Sequence, residues 1–138
     1  MADVKDLIPH RDPFLFVDRL EKVTEEEIIG YRRWPADTFF FKGHFPEYPV
    51  VPGVILVESM AQCGGAGVNQ LGLVQGSIFF LGTVDKVKLK KQVRPNDEVK
   101  MVITTLRAGG RMIKQSGKAY VGDELAASAE WMCLVGDA

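Results

Sequence analysis

The sequence predicts an α+β domain, an antiparallel sheet wrapped around one long buried helix. Three observations carry this. Residues 52–71, "PGVILVESMAQCGGAGVNQL", run for about 18 residues without a strand-like turn signal, too long for an ordinary strand. Apolar or alternating segments lie on both sides of that run, and "GG" at 109–110 and "GD" at 122–123 mark hairpins among the later ones. The central helix is apolar on nearly every face, so it needs cover all round: a sheet wrapped about it, with a partner chain on any face left open.

In chain order, "VKDLI" predicts a short helical turn ended by Pro9. "FLFVDRLEKV" predicts a strand running into the charged turn "TEEE", and "IIGYRRW" a second strand. The loop "PADTFFFKGHFPEYPVVPG" follows, stiffened by Pro46, Pro49 and Pro52, which hold its side chains in fixed places. Pro52 suits a first helical residue, because its missing N–H would be unpaired there anyway. Gly64, Gly65 and Gly67 weaken the helix by roughly 1 kcal/mol each relative to Ala, and close approach of another backbone is the expected compensation. "SIFFLGTVDKVKL", "DEVKMVITTLRA", "MIKQSGKAYV" and "ELAASAEWMCLV" predict four antiparallel strands. No linker or repeat divides residues 1–138, so they are expected to form one domain.

Composition excludes several classes. With 46% hydrophobic and 25% charged residues, the chain matches a folded protein rather than a disordered one. A net charge of -1 argues against a globally basic nucleic-acid surface. Two cysteines, Cys63 and Cys133, make no disulfide framework and read as reduced core thiols of a cytoplasmic protein. Two histidines and two separated cysteines give no metal-ligand spacing. The N-terminal residues hold no apolar signal core, and no apolar run reaches the roughly 18–20 residues of a membrane span.

Glu58 is the residue that needs explaining. A carboxylate in an apolar helix costs several kcal/mol unless paired, hydrogen-bonded or protonated. Gln62, at i+4, shares its face, and a Glu–Gln pair can hold a water or a hydroxyl. Burial favours the protonated form, which makes Glu58 a candidate proton donor; a helix rim where it simply reaches water is the alternative. His44, in "KGHFP", is either a positioned base or a packed, hydrogen-bonded ring. The N–H of Gly53 has no intrahelical partner and points outward at the positive end of the helix dipole, where an oxygen gaining negative charge is stabilised. A base, an acid and an anion-stabilising N–H beside apolar surface suit β-elimination from a thioester, though the same spacing could serve other chemistry.

The chain resembles the FabZ-type 3-hydroxyacyl-acyl carrier protein dehydratases of the hot-dog fold over nearly its whole length. The blocks that carry the resemblance are "LIPHRDPFLFVDR" at 7–19, "FFFKGHFPEYPVVPGVILVESMAQ" at 39–62 and "LGTVDKVKLKKQVRPND" at 81–97. The resemblance implies His44 and Glu58 as the catalytic pair and Gly53 as donor to the thioester carbonyl. It implies Gln62 as the residue ordering the acid. It also implies that the His44 and Glu58 of different subunits face each other across a homodimer, and by the same kinship a hexamer built as a trimer of dimers. No metal or cofactor is expected; the substrate rides on the phosphopantetheine of acyl carrier protein. The related FabA-type dehydratase/isomerases carry Asp at the helix position, so Glu58 favours dehydration without isomerisation. The chain departs from the pattern at Asp12, where Tyr is frequent, at "PEYP", at Phe80, where some members carry a gating Tyr, and at Asn96, where Gly is usual.

Lys86, Lys88, Lys90, Lys91 and Arg94 crowd one segment. Alternation puts Lys86, Lys88 and Lys90 on one strand face, either an ordinary solvated face or a docking patch for an acidic carrier protein. Phe39, Phe40, Phe41, Phe45, Phe79 and Phe80 are candidates for an acyl tunnel, with core packing the default for each. The expected function is dehydration of (3R)-3-hydroxyacyl-acyl carrier protein to the trans-2-enoyl thioester in cytoplasmic fatty acid biosynthesis. The rivals are a hot-dog acyl thioesterase, a non-catalytic acyl-binding or regulatory module, and a dehydratase of a polyene or polyketide pathway.

Overall fold

Two hairpin-forming stretches and a helix come first in the chain, and the sheet is completed only after the helix. The structure is a computed structural model that describes residues 2–74 and 78–136. A 3-10 turn, Val4–Asp6, is capped by Asp3, whose carboxylate accepts the Lys5 N–H at 3.0 Å. Strand β1 (Arg19–Val23) turns into β2 (Glu27–Arg33), and the Thr24 hydroxyl closes the turn by bonding both the N–H and the carbonyl of Glu27. A second 3-10 turn, Phe39–Lys42, sits inside the predicted loop. Helix α1 (Gly53–Leu71) follows, then β3 (Ile78–Leu89), β4 (Glu98–Gly109), β5 (Met112–Val121) and β6 (Glu124–Gly136). Ser77, expected to open the third strand, lies outside the described residues.

The strands form one sheet in the order β1-β2-β4-β5-β6-β3, with every pairing antiparallel. α1 packs against all six. Period-2 alternation explains this: β5 and β6 alternate buried with less buried residues along most of their length, so each offers one face to the helix. Ile28, Trp34, Met60, Val68, Met101 and Trp131 are among the fully buried side chains between them. The turns after β4 and β5 place Gly110 and Gly122 at φ of 58° and 60°, the left-handed values that hairpin turns favour.

Three expectations need correction. "FLFVDRLEKV" is a strand only from Arg19; the Phe14–Asp18 part runs along α1, where Gln62 and Ser59 side chains take the Phe16 N–H and carbonyl that a strand would have offered a neighbour. Pro52 caps α1 in an extended conformation (φ -57°, ψ 138°), so Gly53 is the first helical residue. The helix glycines are approached by side chains, not by another backbone. A Cβ at Gly64 would collide with the Gln115 carboxamide, which donates to Gly64's own carbonyl at 3.3 Å and accepts the Trp131 indole N–H at 3.3 Å.

Candidate active site

Glu58 sits in the second turn of α1, part-buried, and its surroundings are unusually well specified. Gln62 Nε2 donates to Glu58 Oε2 at 2.8 Å and to the Phe14 carbonyl at 3.0 Å, while Gln62 Oε1 accepts the Phe16 N–H at 2.8 Å. Both ends of the carboxamide are occupied, so its orientation is fixed by its partners. Ser59 Oγ donates to the Phe16 carbonyl at 2.6 Å, tying the same segment down one position along the helix. His10 Nε2 lies 3.7 Å from Glu58 Oε2. His10, Glu58 and Gln62, with Ala61, Phe79, Leu81 and Cys133, line a cavity of about 10 Å³, room for about one water. Burial, and secondarily the Glu58 charge, pushes the Cys133 thiol up to about 12. Burial also holds His10 below the ordinary histidine value, against a smaller upward pull from Glu58 and with a downward push from Arg11.

His44 lies on the other side, at the start of the helix. Its Nδ1 is 3.2 Å from the Val50 carbonyl. A carbonyl can only accept, so Nδ1 carries the proton and Nε2 presents a free lone pair. The loop is held by the Tyr48 N–H on the Phe45 carbonyl (2.7 Å), by the Val51 N–H on the Val93 carbonyl (2.8 Å) and by the Tyr48 hydroxyl on Gln92 Oε1 (2.7 Å). His44, Gly53, Leu56 and Leu89 are among the residues lining a cavity of about 350 Å³. The first backbone bonds to Pro52's carbonyl come from Ile55 and Leu56, which leaves the Gly53 N–H without a partner among the described residues. A side chain at residue 53 would collide with Leu89, so glycine is what keeps this N–H approachable.

His44 and Glu58 thus line two cavities that share no lining residue. The remaining predicted site residues divide between several places. Phe45 stacks at 4.4 Å on His44 and stands 61% exposed, with φ of 53°. Phe79 lines the Glu58 cavity. Phe80, one residue on, pairs with Leu134 on the opposite face of the strand, 59% exposed and away from that cavity. The lysine patch does not form one face. A register shift between Asp85 and Lys88, with Lys86 at φ 54°, interrupts the alternation. Lys86 and Lys88 line an open depression of about 480 Å³ with Lys118, Ser128 and Glu130, away from His44 and Glu58. Lys90 and Lys91 lie beyond the end of β3 and line the His44 cavity instead. Lys86 pairs with Glu130 at 3.1 Å, Lys91 with Glu124 at 3.2 Å, and Arg94 lies 4.3 Å over the Tyr48 ring.

His10 is the site residue that sequence reasoning missed. It lies 48 positions before Glu58, and helical spacing gives no sign of it; its one signal is its place in the "LIPHRDPF" block.

A curved antiparallel sheet holding a helix that carries an N–H at its start and a braced carboxylate in its second turn sets the class: the FabA-like domain model matches residues 8–130. Among relatives, the 3-hydroxyacyl-[acyl-carrier-protein] dehydratase FabZ of Clostridium kluyveri is 36% identical over 138 residues, covering 99% of this chain and 96% of its own. That of Natranaerobius thermophilus is 43% identical over 129 residues, covering 93% and 91%. A solved chain of the dehydratase heterocomplex ApeI:P from Xenorhabdus doucetiae superimposes with a TM-score of 0.83 at 12% identity, covering 99% of this chain and 92% of its own, a likeness of fold. The chain belongs to the FabZ family of the FabA-like, hot-dog-fold proteins.

Proposed function

We infer that the chain dehydrates (3R)-3-hydroxyacyl-acyl carrier protein to the trans-2-enoyl thioester in fatty acid biosynthesis, with His44 as base and Glu58 as acid. His44 Nε2 takes a proton from the carbon α to the thioester carbonyl. The Gly53 N–H, at the positive end of α1, stabilises the enolate-like oxygen. Glu58 gives its proton to the departing β-hydroxyl, the C–O bond breaks, and water leaves as the α,β double bond forms. His44 and Glu58 carry both proton transfers and the Gly53 N–H only stabilises charge, so the proposed reaction calls on no cofactor. The observation that carries the reading is the Gln62 carboxamide locked onto Glu58 Oε2, which leaves Oε1 as the oxygen able to meet a hydroxyl.

Two copies of the chain form the working unit in this reading. β3 is a 12-residue strand at the edge of the sheet, and Leu81, Val84, Val87 and Leu89 on it are all exposed. An unpaired apolar edge of that length is a template for another strand. A partner seated there brings its own His44 loop towards Glu58 and explains why one chain keeps the two residues in separate cavities. Lys90 and Lys91, at the mouth of the His44 cavity, suit the phosphate of a phosphopantetheine arm and the acidic carrier behind it. In this reading, by kinship, the site of action is the cytoplasm.

The test is direct assay of enoyl-thioester formation from carrier-bound 3-hydroxyacyl substrate. His44→Ala and Glu58→Ala each lower kcat by about 10²–10⁴-fold while the variants remain folded. A folded variant that keeps near-normal turnover would remove its residue from the mechanism, and release of free thiol in place of enoyl product would mean a thioesterase.

A further inference from the structure

We propose that His10 is a positioning residue for the acid: as the Nε2–H tautomer it turns an N–H towards Glu58 Oε2 across 3.7 Å, too long for a direct hydrogen bond but on the oxygen that Gln62 already holds, and so favours Oε1 for the transferable proton. This rests on the reading of Glu58 as the acid. His10 Nδ1 is buried and has no hydrogen-bond partner among the described residues. A proton on Nδ1 would be an orphaned buried donor, a worse arrangement than an orphaned acceptor on a ring whose other nitrogen faces a carboxylate. The neutral ring is therefore protonated at Nε2, the atom 3.7 Å from Glu58 Oε2. That oxygen already accepts from Gln62 Nε2 at 2.8 Å. One hydrogen-bonded N–H and a second N–H facing the same oxygen from 3.7 Å favour the acidic proton on the other oxygen, and the His10 dipole adds electrostatic support to the carboxylate once that proton has gone.

The segment that carries the ring is built to keep it there. Arg11 folds back, its guanidinium donating to the carbonyls of Ile8 (2.9 Å), His10 (2.7 Å) and Lys5 (2.9 Å). Asn69, at the far end of α1, donates to the Leu7 carbonyl at 2.5 Å, and Gln62 holds Phe14 and Phe16. The residues around His10 are thus braced by Arg11 from within and pinned at two levels of the same helix, at Asn69 and Gln62. The titratable groups near the imidazole are Glu58 from α1, Cys133 from β6, and Arg11 beside it in the chain. Arg11 is committed to backbone carbonyls, and the Cys133 thiol is pushed up to about 12, so neither competes for Glu58 near neutral pH.

Two measurements decide it. The chain has two histidines, so nitrogen-15 NMR of the imidazoles separates them readily. His10 is expected to be Nε2-protonated near neutral pH and to titrate below 6.5. Glu58→Gln is expected to lower that value further, because the carboxylate is what raises it. An Nδ1-protonated ring, or a His10 titration untouched by Glu58→Gln, overturns the proposal. In the kinetic arm, His10→Gln keeps an N–H donor within reach and His10→Asn draws it back by one methylene. His10→Asn is expected to lower kcat by about ten-fold at unchanged KM, the split that loss of positioning rather than of substrate binding produces. His10→Gln restores most of kcat. Equal losses in both variants, or none in His10→Asn, overturn it. Glu58→Gln assayed alongside separates the two failures: if that variant still turns over, the reading of Glu58 as the acid fails first; if it is dead and His10→Asn is normal, only the role of His10 fails.

Discussion

The two halves of the proposed site, with Glu58 as acid and His44 as base, are built in opposite ways. Glu58 stands on a helix, in a cavity with room for about one water, and the residue that orients it has all of its hydrogen-bonding groups occupied. His44 stands on a proline-stiffened loop, in an open cavity of about 350 Å³, and one bond to the Val50 carbonyl sets its tautomer. The difference follows from what each group must do. A carboxylic acid that gives a proton from one oxygen has to have the other engaged, which takes donors fixed from several directions. A base needs only the right tautomer and an open nitrogen. On the proposed reading the larger His44 cavity takes the thioester arm and the small Glu58 cavity takes the departing hydroxyl.

The sharpest way to break this comparison is to put the halves in different chains. His44→Ala and Glu58→Ala proteins, each nearly inactive, are denatured together in equal amounts and refolded as a mixture. If the halves of one site come from two copies, half of the dimers are mixed and half of the sites in these are intact. Activity then returns to about a quarter of the wild-type value. Failure to regain activity, with mixed dimers demonstrated by mass, would mean that each chain assembles its own pair.

A smaller effect sharpens the acid half. Gln62→Leu removes the donor to Glu58 Oε2 and strands the Phe16 N–H and the Phe14 carbonyl. Stranded buried groups cost about 1–3 kcal/mol each, so a marked fall in Tm is expected together with a drop in kcat of about ten-fold or more. Gln62→Glu, which keeps the shape but replaces the donor with a like charge, is expected to lose kcat more than Tm. Thermal melts and steady-state kinetics on the same preparations read both. A Gln62→Leu protein that is less stable but fully active would make the glutamine a structural brace only.

The sequence made the base half more legible than the acid half. Prolines and a histidine in one loop, followed by Gly53 at a helix start, are neighbours in the chain, and local rules place them within one residue. Glu58 and Gln62 were legible for the same reason, being one helical turn apart. What sequence reading missed is what arrives from elsewhere: the Phe14–Asp18 segment gives up strand pairing because α1 side chains take its backbone groups, and it carries His10 with it. The lysines divide for another reason: Lys86 and Lys88 line one depression despite the bulge at Asp85–Lys88, and Lys90 leaves their face because β3 ends at Leu89. Family likeness carried no direction for Phe80, which faces away from the Glu58 cavity that Phe79 lines.

The smallest expected effect distinguishes the halves by acid titration of the fold. His10 titrates below 6.5 in the folded chain, chiefly because burial disfavours its charged form. In the unfolded chain it takes its ordinary value, so the unfolded state binds the proton first as pH falls. The sign follows: the stability contributed by the neutral, part-buried ring is fully present above about 6.5 and is lost as pH drops from there through the folded value. One proton per chain limits the slope to at most about 1.4 kcal/mol per pH unit. Urea unfolding between about pH 7 and 5, above most of the carboxylate range, is expected to show this decline in wild type and a flatter dependence in His10→Gln. An unchanged slope in His10→Gln would mean that the imidazole meets no burial penalty, and the acid half would then be less closed than its small cavity implies.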